Sequence, residues 1–357
     1  MRKERLYAPG PVELPPAVLE ALARPVLHHR TALYAEVQDR VAARLRDVFL
    51  TGSEEVITIS GSGSAGLEAA FLAAVPAGAK VLVINAGKFG ERWLEIARTY
   101  RHETVELAFE WGRAADPAEL EAALARHPDV KAVLATHSET STGVLHDVEE
   151  LARVTRERAP EALFIVDAVT SLGSAELRPL DWGLDAVVAG SQKGLLAPPG
   201  LAFIWLSERA RQVPEEQLHP HYYLNLRSRA GGRQPTTPAV NLVVALDVAL
   251  GLILDEGLEN VWRRRARLTA DLISSLEPLG FTVFAERVTP AVAALRVPPG
   301  VDGTELVAGL RERGLTVAGG QDRLAGKIVR PSLLGWADEF DVAVLAAAFR
   351  SVLAEFS

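Results

Sequence analysis

Apolar and polar positions follow two rhythms along this chain. Short apolar runs occur at EVITIS (55–60), KVLVIN (80–85), AVLATH (132–137), ALFIVDAV (162–169), DAVVAG (185–190) and LAFIWL (201–206). Their length and β-branched content predict buried strands. Between them, AGLEAAFLAAV (65–75), GERWLEIARTY (90–100) and DVEELARVTRER (147–158) repeat apolar residues every three or four positions. That spacing predicts amphipathic helices. Strands alternating with helices predict an α/β fold whose parallel sheet is covered on both faces. Upstream, an irregular arm leads to Pro15-Pro16, which suits a helix start, and residues 31–49 again show helical spacing. Downstream, residues 237–257 predict a long helix leading out of the sheet region. From about residue 258 a charged helix gives way to short strands and helices of α+β type, so a domain boundary falls near 250–260.

Composition narrows the picture. A chain of 357 residues exceeds one average core, so two domains are expected. Apolar content of 48% with 24% charged residues is that of a globular protein. The net charge of −8, with both signs interspersed, argues against a nucleic-acid partner, which needs a basic face. No apolar run approaches the roughly 18 residues that span a bilayer. No cationic start precedes an apolar core, so the expectation is no secretory signal, no membrane partner and a cytoplasmic location. Cysteine is absent, which removes disulfides, thiolate metal sites and cysteine nucleophiles.

Four stretches could carry chemistry. In SGSGSAGLEAA (60–70), small residues separate a strand from a helix. Free backbone N–H groups at such a helix start bind phosphate, and Ser62 and Ser64 add hydroxyls. The alternative is a plain helix cap. Gly61, Gly63 and Gly66 also read as G-x-G-x-x-G, but the next strand ends in Asn85, where a dinucleotide site needs an acid. In ATHSETSTGVLHD (135–147), six polar residues follow a buried strand. His137 and Glu139 hint at a metal without further ligands at helical spacing; a solvated loop is the other reading. Asp167 ends a strongly apolar strand, where an unpaired carboxylate is costly. It either caps the following turn or faces a cationic ligand atom. Lys193 sits at a strand end in a chain that otherwise favours arginine. Desolvation lowers a lysine's pKa and leaves a nucleophilic amine, the kind that forms Schiff bases. A lysine paired with a structural carboxylate is the alternative. Together, a phosphate cradle, a strand-end Asp and a strand-end Lys match the needs of pyridoxal 5′-phosphate.

Six blocks in order, APGPVELPPAVLEAL, SGSGSAGLEAA, HSETSTGV, VDAVTSLG, GSQKGLLAPPG and VRPSLLG, make nearly the whole chain resemble the class V aminotransferases. The resemblance is to the serine–pyruvate/alanine–glyoxylate branch. It implies the pyridoxal-phosphate-dependent transferase fold type I. That fold has a large domain with a mostly parallel seven-stranded sheet and a smaller C-terminal α+β domain. The segments would be an arm (1–17), a large cofactor-binding domain (18–255) and a small domain (256–357). The resemblance makes Lys193 the Schiff-base lysine and catalytic base, and Asp167 the partner of the pyridine nitrogen. Ser62, Gly63 and Ser64 would cradle the phosphate, with Gln192 beside it. Phe89 would stack on the ring, Val169 would pack its opposite face, and Thr140 would approach the ring oxygen. Thr236 would reach the phosphate of a neighbouring subunit, which implies a homodimer. Arg330 would grip the substrate α-carboxylate.

The chain also departs from the family's animal members. Ser64 replaces a His, and Arg233 stands where those members have a Tyr. The stretch RSRAGGRQP (227–235) reads as a mobile lid. Its Arg227, Arg229 and Arg233 would either meet a second anionic group on the substrate or be solvated. The implied reaction moves an amino group from a small L-amino acid, alanine or serine, to a 2-oxo acid, glyoxylate or pyruvate, with ping-pong kinetics. Aspartate or phosphoserine as donor, and β-elimination, are the alternatives. A non-enzymatic cofactor-binding protein would not need Arg330. A cysteine desulfurase would need a cysteine.

Overall fold

A computed structural model describes residues 3–232 and 235–356. Its central sheet has seven strands in the spatial order Val56–Ser60, Leu201–Leu206, Ala186–Gly190, Leu163–Asp167, Ala132–Thr136, Val81–Asn85 and Thr104–Ala108. Leu201–Leu206 pairs antiparallel with both of its neighbours. Every other pairing in this sheet is parallel.

The strand alternation sorts side chains into two cores. Phe164 and Val166 point into one, with the helices Ala32–Phe49, Val148–Arg158 and Val240–Glu256. Leu163 and Ile165 point into the other, with the helices Gly63–Ala74 and Lys88–Thr99. Both faces are therefore dry, which is why these strands read as unbroken apolar runs. Each such side chain, fully buried, contributes about 1.5–3 kcal/mol.

The edge strand Thr104–Ala108 and the helix Pro117–Arg126 carry weaker signals and had no counterpart in the sequence reading. As an edge, TVELA is only partly buried, so it lacks the continuous apolar run of its neighbours. A second sheet has the order Arg5–Tyr7, Leu315–Gly319, Ile328–Arg330, Leu295–Arg296, Thr282–Val283. The arm expected to be irregular thus supplies a strand, with Arg5–Tyr7 parallel to Leu315–Val317. Tyr7 joins a third core with Leu268, Leu310 and Phe349. The helix Val240–Glu256 hands over to Leu258–Leu276 at Gly257, whose φ of +85° suits glycine.

Two helices begin earlier than their apolar spacing suggests. Gly63 and Ser64 lie in the first turn of Gly63–Ala74, not in the preceding turn. Phe89 lies in the first turn of Lys88–Thr99. Because the central strands run parallel, Asn85, Thr136, Asp167 and Gly190 all end at one edge of the sheet. Open α/β sheets bind ligands at that edge.

Candidate active site

Ser62 caps the helix Gly63–Ala74, its hydroxyl accepting from the Ala65 N–H at 3.4 Å. The next N–H groups, of Gly63 and Ser64, belong to the first turn and lack intrahelical acceptors. A Cβ on Gly63 would stand 2.7 Å from Val169 Cγ2, so only glycine lets this helix end approach the loop after Asp167. The result is an anion cradle held by close packing.

Across the cavity, Asp167 is 4% exposed. One carboxylate oxygen accepts from the Val169 N–H at 2.9 Å. Burial pushes its pKa up to about 6, against the Val169 bond and the charges of Arg92 and Lys193. Lys193 follows the neighbouring strand. Burial pushes its ammonium down to about 8; Asp167 opposes this, while Arg330 and Arg92 add to it. Its Nζ donates to the Pro9 carbonyl at 2.5 Å. A Cβ on Gly10 would fall within 2.6 Å of Lys193 Nζ and Cε, so the arm crosses directly over the amine. Gln192 Oε1 is buried without a hydrogen-bond partner among the described residues.

Ser62, Gly63, Ser64, Phe89, Asp167, Val169, Gln192 and Lys193 line one cavity of about 220 Å³. An anion cradle, a buried carboxylate and a weakly basic amine surround it. A ligand carrying a phosphate, a cationic ring atom and an aldehyde suits all three. A family model for class V aminotransferases matches residues 17–343.

The chain belongs to the class V aminotransferases.

Its relatives agree. A solved structure of an aspartate aminotransferase of subgroup IV from Thermus thermophilus is 39% identical, with a TM-score of 0.91 over 99% of this chain and 100% of that one. The alanine–glyoxylate aminotransferase structure from Nostoc sp. is 32% identical, with a TM-score of 0.93 over 99% and 96%. An uncharacterized aminotransferase of Methanocaldococcus jannaschii is 38% identical over 99% of this chain and 93% of its own. Class V aminotransferases are built on a pyridoxal-phosphate-dependent fold, and this one keeps a lysine, a buried aspartate and a helix N-terminus around one cavity.

Three expected site residues do not line this cavity. Arg330 is buried at the end of Ile328–Arg330. Its Nε donates to the Gly319 carbonyl at 2.8 Å and its Nη1 to the Thr140 carbonyl at 2.9 Å. Among the described residues its Nη2 has no hydrogen-bond partner. Burial pushes Arg330 down to about 10, against the pull of Glu139. Thr140 is buried beside it, while Ser138 is the residue of this loop that reaches the cavity wall. Thr236 lines a separate cavity of about 390 Å³ together with Arg229 and Gly232.

The lid arginines take other positions. Arg227 donates to the Val213 carbonyl. Arg229 is 5% exposed, donates to the Tyr223 carbonyl at 3.1 Å and stands 5.5 Å over the Tyr223 ring. It is therefore neither solvated nor in the 220 Å³ cavity. Arg233 lies outside the described residues. Gly231 and Gly232 N–H groups both bond the Glu55 carboxylate at 2.9 Å, which ties this segment to the large sheet.

Among the described residues, the arginine that does line the cavity, alongside Lys193, is Arg92. It lies one helical turn after Phe89, with its guanidinium 4.8 Å from that ring. Among the described residues it makes no ion pair. The spacing in GKFGER carried this signal, since residues three apart share a helix face. Of the pair that suggested a metal, His137 meets the edge of Trp182 at 6.2 Å. Glu139 spends its oxygens on the backbone and hydroxyl donors of Phe89, Gly90 and Ser141.

Proposed function

We propose that this protein is a pyridoxal-phosphate-dependent transaminase that moves the amino group of a small L-amino acid, alanine or serine, to glyoxylate or pyruvate. The observation that carries the reading is the cavity where Lys193, Asp167 and the start of Gly63–Ala74 meet. Bound there, the cofactor supplies an aldehyde and an electron-withdrawing ring. Every other role falls to this chain.

Gly63 and Ser64 N–H groups and the Ser62 hydroxyl hold the phosphate. Asp167 keeps a proton on the ring nitrogen, a role its burial suits because the pair is screened from water. Phe89 and Val169 bracket the ring. Lys193 would hold its Nζ beside the aldehyde carbon, and its free amine would accept the proton from the substrate Cα. Burial lowers its ammonium to about 8, which favours the neutral amine a base requires more than solvent exposure would. Arg330 would anchor the α-carboxylate through Nη2, Nε and Nη1 each already donating to a carbonyl, of Gly319 and Thr140. A homodimer in which Thr236 reaches the partner's phosphate, and a cytoplasmic location, belong to the same proposal.

A second reading, aspartate as the donor, is favoured by Arg92. A guanidinium that lines the site and makes no ion pair among the described residues suits a substrate with a second carboxylate. The Thermus relative named as an aspartate aminotransferase points the same way.

The test is the visible spectrum of the cofactor-loaded protein, wild type and Lys193→Ala, with L-alanine, L-serine, L-aspartate or phosphoserine added separately. The expected result is a lysine-dependent visible band that bleaches with a true donor and returns with fresh oxo acid. A band that survives in Lys193→Ala, or bleaching that no oxo acid reverses, overturns the reading.

A further inference from the structure

Glu139 is fully buried, 0% exposed, and does not itself line the cofactor cavity, although its neighbour Ser138 does. An isolated carboxylate in such a place is costly. Its surroundings explain how it is tolerated. Oε2 accepts from the Phe89 N–H at 3.0 Å and the Gly90 N–H at 3.1 Å. Oε1 accepts from the Ser141 hydroxyl at 2.5 Å and the Ser141 N–H at 3.3 Å. The Ser141 oxygen in turn accepts from the Lys88 N–H at 3.1 Å. Three successive N–H groups at the start of Lys88–Thr99 therefore end on one carboxylate and its serine.

That helix cannot cap itself. Its N-cap residue is Gly87, which has no side chain to offer. A Cβ at Gly87 would overlap the Glu139 carboxylate and come within 2.6 Å of Cγ. The missing side chain makes room for a cap delivered from elsewhere in the chain, and the helix dipole favours its negative charge. On the other side, the residue next to Glu139 gives its carbonyl to Arg330 Nη1 at 2.9 Å. Glu139 also acts electrostatically on Arg330.

We infer that Glu139 is a positioning residue that holds the ring-stacking helix and the carboxylate-binding arginine in fixed relation, so that cofactor and substrate sites are set by one buried cap. The inference rests on the roles proposed above for Phe89 and Arg330.

The experiment measures two affinities: pyridoxal phosphate for the apoprotein by equilibrium dialysis, and propionate for the cofactor-loaded protein by calorimetry. Propionate presents a carboxylate with no amino group to transfer. Glu139→Gln should weaken both by about tenfold, as expected for lost hydrogen bonds to a charged group. Ser141→Ala, which keeps the charge, should weaken both by about threefold and decides the matter if Glu139→Gln does not fold. Phe89→Ala should weaken the cofactor alone, and Arg330→Lys propionate alone. If these two separate the affinities but the Glu139 and Ser141 variants lower only thermal stability, or move only one affinity, the inference is overturned. If Phe89→Ala and Arg330→Lys change neither affinity, the underlying site reading fails and the inference falls with it.

Discussion

Replacing Gly63 by alanine puts a methyl group where Val169 already stands. The added Cβ would lie 2.7 Å from Val169 Cγ2 and 3.0 Å from Cγ1. Carbon atoms relax at roughly 3.5–4.0 Å, so the helix start and the Val169 loop must separate by about an ångström. Overpacking of this kind costs about 1–3 kcal/mol. The strain falls on both anchors of the cavity at once. Gly63 begins the phosphate cradle, and the Val169 N–H holds an Asp167 oxygen at 2.9 Å. Urea denaturation of the apoprotein should show Gly63→Ala less stable by about 1–3 kcal/mol. Equilibrium dialysis should show pyridoxal phosphate bound at least about fivefold more weakly, since 1 kcal/mol is about that factor. Adding Val169→Ala removes both Cγ atoms and should recover apoprotein stability, with a coupling of about 1 kcal/mol or more. Unchanged stability and affinity in Gly63→Ala, or no recovery in the double variant, would refute the close-approach argument.

Two further outcomes are expected. The folded-state pKa of Lys193 is lowered from 10.5 to about 8, so the unfolded chain binds more protons between those values. The stability cost of this lysine is therefore full below pH 8 and fades as pH rises toward 10.5. Apoprotein Lys193→Met should exceed wild type in stability at pH 7, and the gap should close across that window; a gap independent of pH contradicts the assignment. Arg92→Gln should lower kcat/KM for aspartate relative to alanine by about tenfold if aspartate is the donor, the scale of one charge-assisted hydrogen bond; an equal loss for both donors rules out a role in reading the second carboxylate.

The elements legible in the sequence were those whose signal is local. Strands such as Leu163–Asp167 announce themselves because both faces are dry, and helices such as Val148–Arg158 because one stripe is apolar. The candidate site residues at strand ends were legible too. Asp167 and Lys193 are charges placed where an apolar run stops, and Ser62 is a cap before a helix. Thr104–Ala108 was not legible, since an edge strand is only half buried and its pattern is diluted.

Sequence by itself determined the alternation of strands and helices, and marked a candidate amine, carboxylate and helix cap at strand ends. The fold alone decided what depends on distant pairings. Arg5–Tyr7 pairs with Leu315–Val317 from the far end of the chain, which turns an apparent arm into part of the second sheet, and Tyr7 donates to Asp341 Oδ1 at 2.6 Å. Arg229 became a buried side chain stacked on Tyr223, and Arg92 became a second cation of the cavity beside Lys193. Glu139 became the cap of a helix that starts about fifty residues before it. Propensity and periodicity act over a few neighbouring residues. A buried carboxylate takes its role from whichever donors the folded chain brings to it.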